Sequence, residues 1–403
     1  MVTTSEPFYG CLCLETTSLT SNGSLPQLRE RQNSHIPLPE IHFNIWEEGT
    51  GTKPFLDIGV MLAINDPAEL IEIFLPWKLE RGKIEDLSPR ILAPCGVSAI
   101  FNEAWTSSSS THNPGGYVTR NDGSVFSIVP YDQPVIQSRK HQLGELHSIV
   151  LDILQLRTTS QTTAATVLSS LKQMYVRIRV KDVPQQFYRV GFDQGDALGG
   201  GALNRTEIID FRLNVRRGVP SAIESFLHGR FVEFSKVQLF LMKSRDQDIV
   251  FEDKLFKACR SLEDEKFWAE YILPFLSTTK AKDKSLRQIK GSLGYQWKKT
   301  PDSNQAEVSE FGMLARFKSF KMRNRAIIFF VIAALILGVV GNGIYDFIKG
   351  MFSGSQAIAE NCYVNVPYAM PDAPKELVDP KPSAATAKPY EKSTTHSAVK
   401  EAR

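Results

Sequence analysis

The residues that could carry chemistry are scattered along this chain. His141, Glu145 and His147 lie close together, but the HExxH spacing of zinc proteases is absent. On a helix, His141 and Glu145 would share a face while His147 would point elsewhere. Residues 95–99 (CGVSA) contain Cys95 and Ser98 but lack the second glycine of a nucleophile elbow. Ordinary, partly exposed side chains are therefore the favoured interpretation of both sets.

Three further motifs fail as ligand sites. The glycine-rich residues 195–201 (GDALGGG) match neither GxxxxGK[ST] nor a GxGxxG between strand and helix. Asp193 and Asp196 supply too few oxygen ligands for calcium. Cys11 and Cys13 form a CxC pair without a second pair nearby. We therefore predict no cofactor and no metal, and we favour a non-enzymatic protein.

Composition restricts the class of protein. The 403 residues carry a formal net charge of +3 and five cysteines. So small a net charge disfavours a nucleic-acid partner, and the odd, scattered cysteines suit a reducing compartment. The first 24 residues lack a basic start and an apolar core, so no secretory signal is expected there.

One segment predicts a membrane span. Residues 326–341 (AIIFFVIAALILGVVG) contain no polar side chain, and residues 342–345 extend the run to twenty. Twenty helical residues match the ~30 Å hydrocarbon core of a bilayer. The alternative is a buried core helix, which the charged flanks disfavour.

The flanks also predict orientation. Basic residues precede the span, whereas Asp346 follows it with Lys349 as the nearby cation. Positive residues stay on the cytoplasmic side. The N-terminal region is therefore expected in the cytoplasm, and the tail on the extracytoplasmic side.

Basic residues before the span predict contact with anionic lipid headgroups. Phe311, Leu314, Phe317 and Phe320 recur every three residues among some of these cations, which predicts an amphipathic helix. The predicted membrane-surface contacts are Lys280, Lys282, Lys284, Arg287, Lys290, Arg316, Lys318, Lys321, Arg323 and Arg325.

A stripe of small and polar residues lies along the span at a spacing of four. Ala334 and Gly338 would let two helices approach closely, and Asn342 can form a hydrogen bond across the interface. The stripe predicts a homo-oligomer that forms through the helix.

Short apolar runs predict a soluble α+β region that is rich in antiparallel strands. Residues 55–64 and 69–77 are expected to form a hairpin, as are residues 117–119 and 124–129 around Asp122-Gly123. Residues 253–262 and 264–273 have helical spacing.

The predicted organisation has five parts. They are a flexible arm (1–40), a soluble region (41–300, with possible subdomains 41–157 and 164–300), a basic amphipathic segment (301–325), the transmembrane helix (326–345) and a disordered tail (346–403).

These features predict a single-pass membrane protein whose cytoplasmic region binds a protein partner or senses a small molecule. Two alternatives remain open at this level. One is a membrane-bound enzyme of the hydrolase type, because catalytic groups converge in space rather than in sequence. The other is an effector that oligomerises through its helix and perturbs the membrane.

Overall fold

The structure is a computed structural model of the 403-residue chain. It describes residues 10–16, 36–47, 54–101, 106–109, 115–120, 122–131, 134–141, 144–192, 204–217, 219, 221, 223, 230–263, 265–272, 283, 286–287, 289–302, 305–320 and 324–356. The chain divides into two units, Met1–Phe330 and Val331–Arg403.

Strands dominate the first unit. Those in the described ranges are β1 (Leu12–Thr16), β2 (Glu40–Trp46), β3 (Phe55–Ala63), β4 (Leu70–Leu75), β5 (Ile84–Asp86), β6 (Thr106–Ser109), β7 (Gly116–Thr119), β8 (Val125–Ile128), β9 (Val135–His141), β10 (Gly144–Asp152), β11 (Leu171–Val180), β12 (Arg189–Phe192), β13 (Asn204–Leu213), β14 (Arg230–Phe231), β15 (Lys236–Ser244), β16 (Gln247–Glu252), β17 (Phe256–Ser261), β18 (Ser292–Lys299) and β19 (Phe311–Phe320).

Helices are fewer. The α-helices in the described ranges are α1 (Ser88–Ile91), α2 (Gly96–Phe101), α3 (Ile153–Thr163), α4 (Glu265–Ile272) and α5 (Asn324–Gln356), and the 3₁₀ turns are Arg81–Lys83, Ala165–Ser170 and Gln185–Phe187. A β-rich region with few helices is the predicted class.

The strands form three sheets. The ten-stranded sheet has the order β17-β18-β15-β2-β3-β11-β8-β7-β6, with β5 also paired to β11. A five-stranded sheet has the order β14-β1-β4-β10-β9, and a four-stranded sheet has the order β12-β13-β19-β16. Two pairs in the ten-stranded sheet, β2 with β15 and β8 with β11, are parallel, so the expectation of antiparallel strands holds only for the other pairs.

The main apolar core joins all three sheets. Strand β2 alternates, and Ile41, Phe43 and Ile45 enter this core together with Ile73 of the five-stranded sheet and Phe211 of the four-stranded sheet. The period-2 pattern of β2 therefore commits one face to the core and leaves the other face for different contacts.

The two predicted hairpins had different outcomes. Strands β7 and β8 pair antiparallel around the turn, where Thr119 lies opposite Val125, and Gly123 takes a positive φ of 79°. Strands β3 and β4 both exist, but they belong to different sheets, so the predicted hairpin between them is wrong. Local apolar patterns identified the strands and could not identify their distant partners.

The prediction of a flexible arm at 1–40 is wrong for part of its length. Strand β1 lies between β4 and β14, and Cys11, Leu12, Cys13 and Leu14 are all buried. Both faces of this short strand are covered, so its burial requires no polar–apolar alternation. The surrounding Ser- and Thr-rich composition concealed it.

The prediction of an amphipathic helix before the span is also wrong. Phe311–Phe320 is strand β19, which pairs with β13 and β16. Phe311, Met313, Ala315 and Phe317 are buried, so the relevant period is two rather than three.

The boundary suggested between 41–157 and 164–300 lies in helix α3. Strands from both sides share the ten-stranded sheet, since β2 pairs with β15 and β3 pairs with β11. Residues 253–262 contain strand β17 rather than the predicted helix, while α4 confirms the helix expected at 264–273.

Helix α5 contains the predicted span and continues past it. Its window Val331–Phe352 has a mean hydropathy of 2.0, which makes it long and apolar enough to cross a membrane. The helix ends at Gln356, so the disordered tail predicted from residue 346 is wrong as far as 356. Apolar Phe347, Ile348 and Met351 continue the pattern past Asp346. Residues 357–403 lie outside the described residues.

Candidate functional site: a cationic recess

One face of the ten-stranded sheet holds a recess with a volume of about 430 Å³. This volume lies within the range of sites that bind small molecules. The lining residues come from five adjacent strands, helix α2 and the β7–β8 turn, and they are Glu40, His42, Asn44, Met61, Ile100, Phe101, Arg120, Arg177, Lys236, Gln238, Gln296 and Lys298.

Strand alternation places these polar groups together. In β2, the core takes Ile41 and Phe43, so His42 between them faces the recess. In β15, Val237 and Leu239 enter the core, and Gln238 faces the recess for the same reason.

The strand register aligns these residues in one row. Gln238 lies opposite Lys298 on one side and His42 on the other. His42 lies opposite Gly59, and Gly59 lies opposite Arg177. At about 4.8 Å between strands, the row crosses roughly 19 Å of sheet. A ligand lying along this row would meet a cation at each end.

Positive charge predominates among the lining residues. Four cations, Arg120, Arg177, Lys236 and Lys298, face one carboxylate, Glu40. Glu40 forms an ion pair with Lys236 and lies 3.5 Å from His42 Nε2. Burial opposes its ionisation, but His42 and Lys236 outweigh burial and lower the pKa of Glu40 to about 2. The carboxylate is therefore charged at neutral pH, and the lining carries a formal excess of three positive charges.

His42 lies in the floor of the recess and is 6% exposed. Its Nδ1 is 3.4 Å from the Tyr175 hydroxyl, while its Nε2 has no hydrogen-bond partner among the described residues. Burial lowers the pKa of His42, the Glu40 carboxylate opposes this shift, and Lys236 and Arg177 reinforce it. His42 is therefore neutral at pH 7 and can donate or accept one hydrogen bond.

The Arg177 guanidinium is held on two sides. Its Nε donates to the Tyr271 hydroxyl at 2.8 Å, and its Nη1 donates to the Tyr175 hydroxyl at 2.8 Å. Arg177 is 1% exposed, and its Nη2 has no hydrogen-bond partner in the described part of the chain. This nitrogen has an ion-pair contact with Asp57 at 3.9 Å but no hydrogen bond to the described residues, so its N–H groups can donate to a ligand.

The Asp57 carboxylate fixes the positions of the side chains that surround Arg177. Its carboxylate accepts from Arg179 Nε at 2.7 Å, from Trp46 Nε1 at 2.8 Å and from the Tyr271 hydroxyl at 2.8 Å. Arg177 Nη2 lies 3.9 Å away. Burial opposes ionisation, but the two arginines and the Tyr271 hydroxyl outweigh burial and lower the pKa of Asp57. One buried carboxylate thus faces two buried guanidiniums.

No family model and no curated protein matches this chain. In the ranges that the structure describes, no three His, Cys, Asp or Glu side chains are grouped as metal ligands. The recess presents cations, carboxamides and an apolar wall, a combination that suits binding of a polar anion.

The structure describes only some of the predicted membrane contacts. Arg287 and Lys290 are exposed, and Lys290 pairs with Glu265 at 3.1 Å. Arg316 and Lys318 lie on the exposed face of β19, where Lys318 is opposite Asp248. Lys280, Lys282, Lys284, Lys321 and Arg323 lie outside the described residues, and Arg325 is described only as part of α5.

The other sequence candidates do not meet at the recess. Glu145 and His147 occupy strand β10 rather than a helix, 3.7 Å apart, and Cys95 is exposed at the start of α2. The stripe residues Ala334, Gly338 and Asn342 are exposed on α5. The loop at 195–201, with Asp193 beside it, lies outside the described residues.

Sequence reasoning missed every member of the recess. The available signal was polar side chains at alternate positions in apolar strands: Glu40, His42 and Asn44 in β2, and Lys236 and Gln238 in β15. Such alternation normally marks a solvent-facing surface. The recess became evident only when the register placed five such strands side by side.

Gly59 allows Tyr175 to lie across β3. A Cβ at residue 59 would come within 2.0 Å of the Tyr175 hydroxyl, so Gly59→Ala must displace the group that holds Arg177 and contacts His42. We expect this substitution to lower the free energy of unfolding by about 1–3 kcal/mol through overpacking. Denaturant unfolding of the full chain checks it. Gly312→Ala, in a strand position with no atom within 4 Å of the new Cβ, is the matched control and should leave stability nearly unchanged.

Proposed function

We propose that this chain is a single-pass membrane-anchored binding module. The β-rich unit binds a small polar ligand in the cationic recess, and helix α5 keeps that binding at a membrane. The observation that carries the proposal is the recess itself, where four cations and three carboxamides line one volume of about 430 Å³.

The anchor follows from the length and composition of α5. The 22-residue window Val331–Phe352 would extend about 33 Å, which matches the hydrocarbon core. Lys321, Arg323 and Arg325 precede the window, so the positive-inside rule supports a cytoplasmic β-rich unit and an extracytoplasmic C-terminus. Exposed Leu335, Leu337 and Val339 suit contact with lipid.

Lipid contact by the unit is supported unequally by the basic residues. Arg316 lies opposite Ile208 and Phe251, so no acidic side chain faces it across either strand. Lys318 has Asp248 opposite it, which weakens its attraction for an anionic surface. We therefore propose Arg316 and Arg287 as stronger headgroup contacts than Lys318 and Lys290.

Self-association through α5 gives a separate prediction. Ala334, Gly338 and Asn342 lie one turn apart, and small residues at this spacing let helices pack closely. Gly338→Leu is expected to convert oligomers into monomers, as measured by cross-linking in bilayers. An unchanged oligomer size would contradict the proposed interface. Gly343→Leu, on the same helix but on a different face from the stripe, is the control.

The binding proposal is tested on the full chain in phospholipid nanodiscs. Fractionated polar metabolites are added, and the thermal midpoint is followed, because a ligand that binds the folded state raises it. We expect at least one fraction to raise the midpoint of the natural protein and of Lys257→Glu, whose exposed lysine lies on β17. The same fraction should leave the thermal midpoint of Lys298→Glu unchanged. A shift that persists in Lys298→Glu, or no shift with any fraction, would contradict the proposal.

The membrane anchor is tested on membranes from cells that express the full chain. Alkaline carbonate should leave the natural chain in the membrane pellet. Release of the chain into the supernatant would contradict the transmembrane assignment of α5.

A further inference from the structure

We propose that the ligand of the recess is a phosphorylated polyol, either a free sugar or polyol phosphate or the headgroup of a phosphorylated lipid. This inference rests on the proposed binding function and specifies the chemistry of the same site. Three features of the recess carry it: its charge, its carboxamides and its apolar wall.

The charge favours a phosphate ester over a carboxylate. Glu40 already pairs with Lys236, and the lining holds three further cations, Arg120, Arg177 and Lys298, of which Arg177 lies 3.9 Å from the Asp57 carboxylate. A phosphate monoester carries about −1.5 to −2 charges and three acceptor oxygens at pH 7. A carboxylate carries one charge and would match this positive lining less well.

The Arg177 side chain is preorganised to bind a phosphate group. Tyr175 and Tyr271 fix two of its nitrogens, so little side-chain entropy remains to be lost when an oxyanion binds. A guanidinium recognises phosphate oxygens through directed N–H donors, whereas an ammonium acts as a point charge. Nη2, which has no hydrogen-bond partner among the described residues, is the donor that this oxyanion would use.

The remainder of the recess suits hydroxyl groups. Asn44, Gln238 and Gln296 each offer both a donor and an acceptor, which is the combination that a hydroxyl requires. Met61 and Phe101 supply apolar surface for the carbon face of a ring. A volume of about 430 Å³ accommodates one phosphorylated ring and excludes a polymer from full burial.

The test uses the full chain in nanodiscs of uncharged phospholipid. Binding of glucose 6-phosphate, inositol 1-phosphate and inorganic phosphate is measured by calorimetry, with glucose and inositol as the neutral counterparts. A second set of nanodiscs contains phosphatidylinositol 4-phosphate or unphosphorylated phosphatidylinositol, with thermal midpoint as the readout. The first set detects binding of a free ligand, and the second detects binding of a lipid headgroup.

We expect the phosphorylated member of a pair to bind at least tenfold more tightly than the neutral one. Lys298→Gln should weaken binding about tenfold and lower its salt dependence, while Lys257→Gln should bind as the natural protein does. Arg177→Lys should keep the charge but weaken binding about 10- to 100-fold, because the directed donors are lost. Arg245→Gln, at an exposed arginine, is its control.

The two proposals fail in different ways. Equal affinity for phosphorylated and neutral members would overturn the phosphate assignment and leave a polar-ligand site standing. Phosphate binding that neither Lys298→Gln nor Arg177→Lys weakens would place the anion outside the recess and also overturn the inference. Absence of binding to every probe, while a metabolite fraction still stabilises the natural protein but not Lys298→Glu, would reject only the phosphorylated polyol.

Discussion

Asp57→Asn is expected to lower the free energy of unfolding by about 3–5 kcal/mol, because it leaves two buried guanidiniums without their carboxylate. Asp57 and Arg179 are 0% and 2% exposed, so water cannot replace the lost interaction. Total stability of a domain is about 5–15 kcal/mol, so the loss would be a large fraction of it. Denaturant unfolding of the full chain in mild detergent measures the change. Trp46, which donates to Asp57 at 2.8 Å, is a local fluorescence reporter.

The pH dependence identifies the cause of that loss. The pKa of Asp57 in the folded protein lies below its ordinary value of 3.8, so its contribution to stability is complete well above that pH. The contribution is lost as the pH falls below 3.8 towards the folded pKa. The difference in free energy of unfolding between the natural protein and Asp57→Asn should therefore become smaller as the pH falls. A difference that stays constant from pH 6 to pH 3 would indicate a steric effect instead. Asp248 is an exposed carboxylate on β16. Asp248→Asn should change neither the free energy of unfolding nor its pH dependence appreciably.

Lys243→Met is the second substitution with a large expected effect. The Lys243 ammonium is 0% exposed, forms an ion pair with Glu47, and contacts Glu207 Oε2 at 3.0 Å. Removing the shared cation leaves two buried carboxylates close together, which should lower the free energy of unfolding by about 3–5 kcal/mol. Denaturant midpoints of the full chain measure this change.

A compensating variant separates charge from packing in this triad. Lys243→Met combined with Glu47→Gln and Glu207→Gln removes the cation and both anions together. This triple variant should regain most of the lost stability, since a buried ionic group replaced as a whole is often tolerated. If the triple variant were as unstable as Lys243→Met alone, packing of the lysine stem rather than charge would be responsible.

Local sequence patterns specified many elements of the fold but not its pairings. The Asp122-Gly123 turn determined a hairpin, because its backbone preference acts over four residues. No local signal shows that β2 lies between β3 and β15, since β15 follows β2 by almost 200 residues. These distant pairings decide which side chains share a face.

The error at β19 has the same origin. Phe311, Leu314, Phe317 and Phe320 have a helical spacing, yet Phe311 and Phe317 are also an even number of residues apart. Both periods fit the same residues, and pairing with β13 over the whole strand selected the extended form. Tertiary context therefore overrode an ambiguous local period.

The recess was hidden from sequence for a further reason. His42, Arg177 and Lys298 are each unremarkable polar residues in separate strands, and their chemistry arises from a shared row across the sheet. Helix α5, by contrast, was predictable because its apolar run is continuous and needs no partner. Continuity along the chain determined which features the sequence could indicate.

Binding of an oxyanion in the cationic recess can be observed directly. Crystals of the full chain soaked in tungstate, a heavy tetrahedral analogue of phosphate, would locate such an ion by its anomalous scattering. We predict a peak within hydrogen-bonding distance of the Arg177 guanidinium, present in the natural protein and weakened in Arg177→Lys. Tungstate bound only elsewhere, with the recess holding water, would contradict the account.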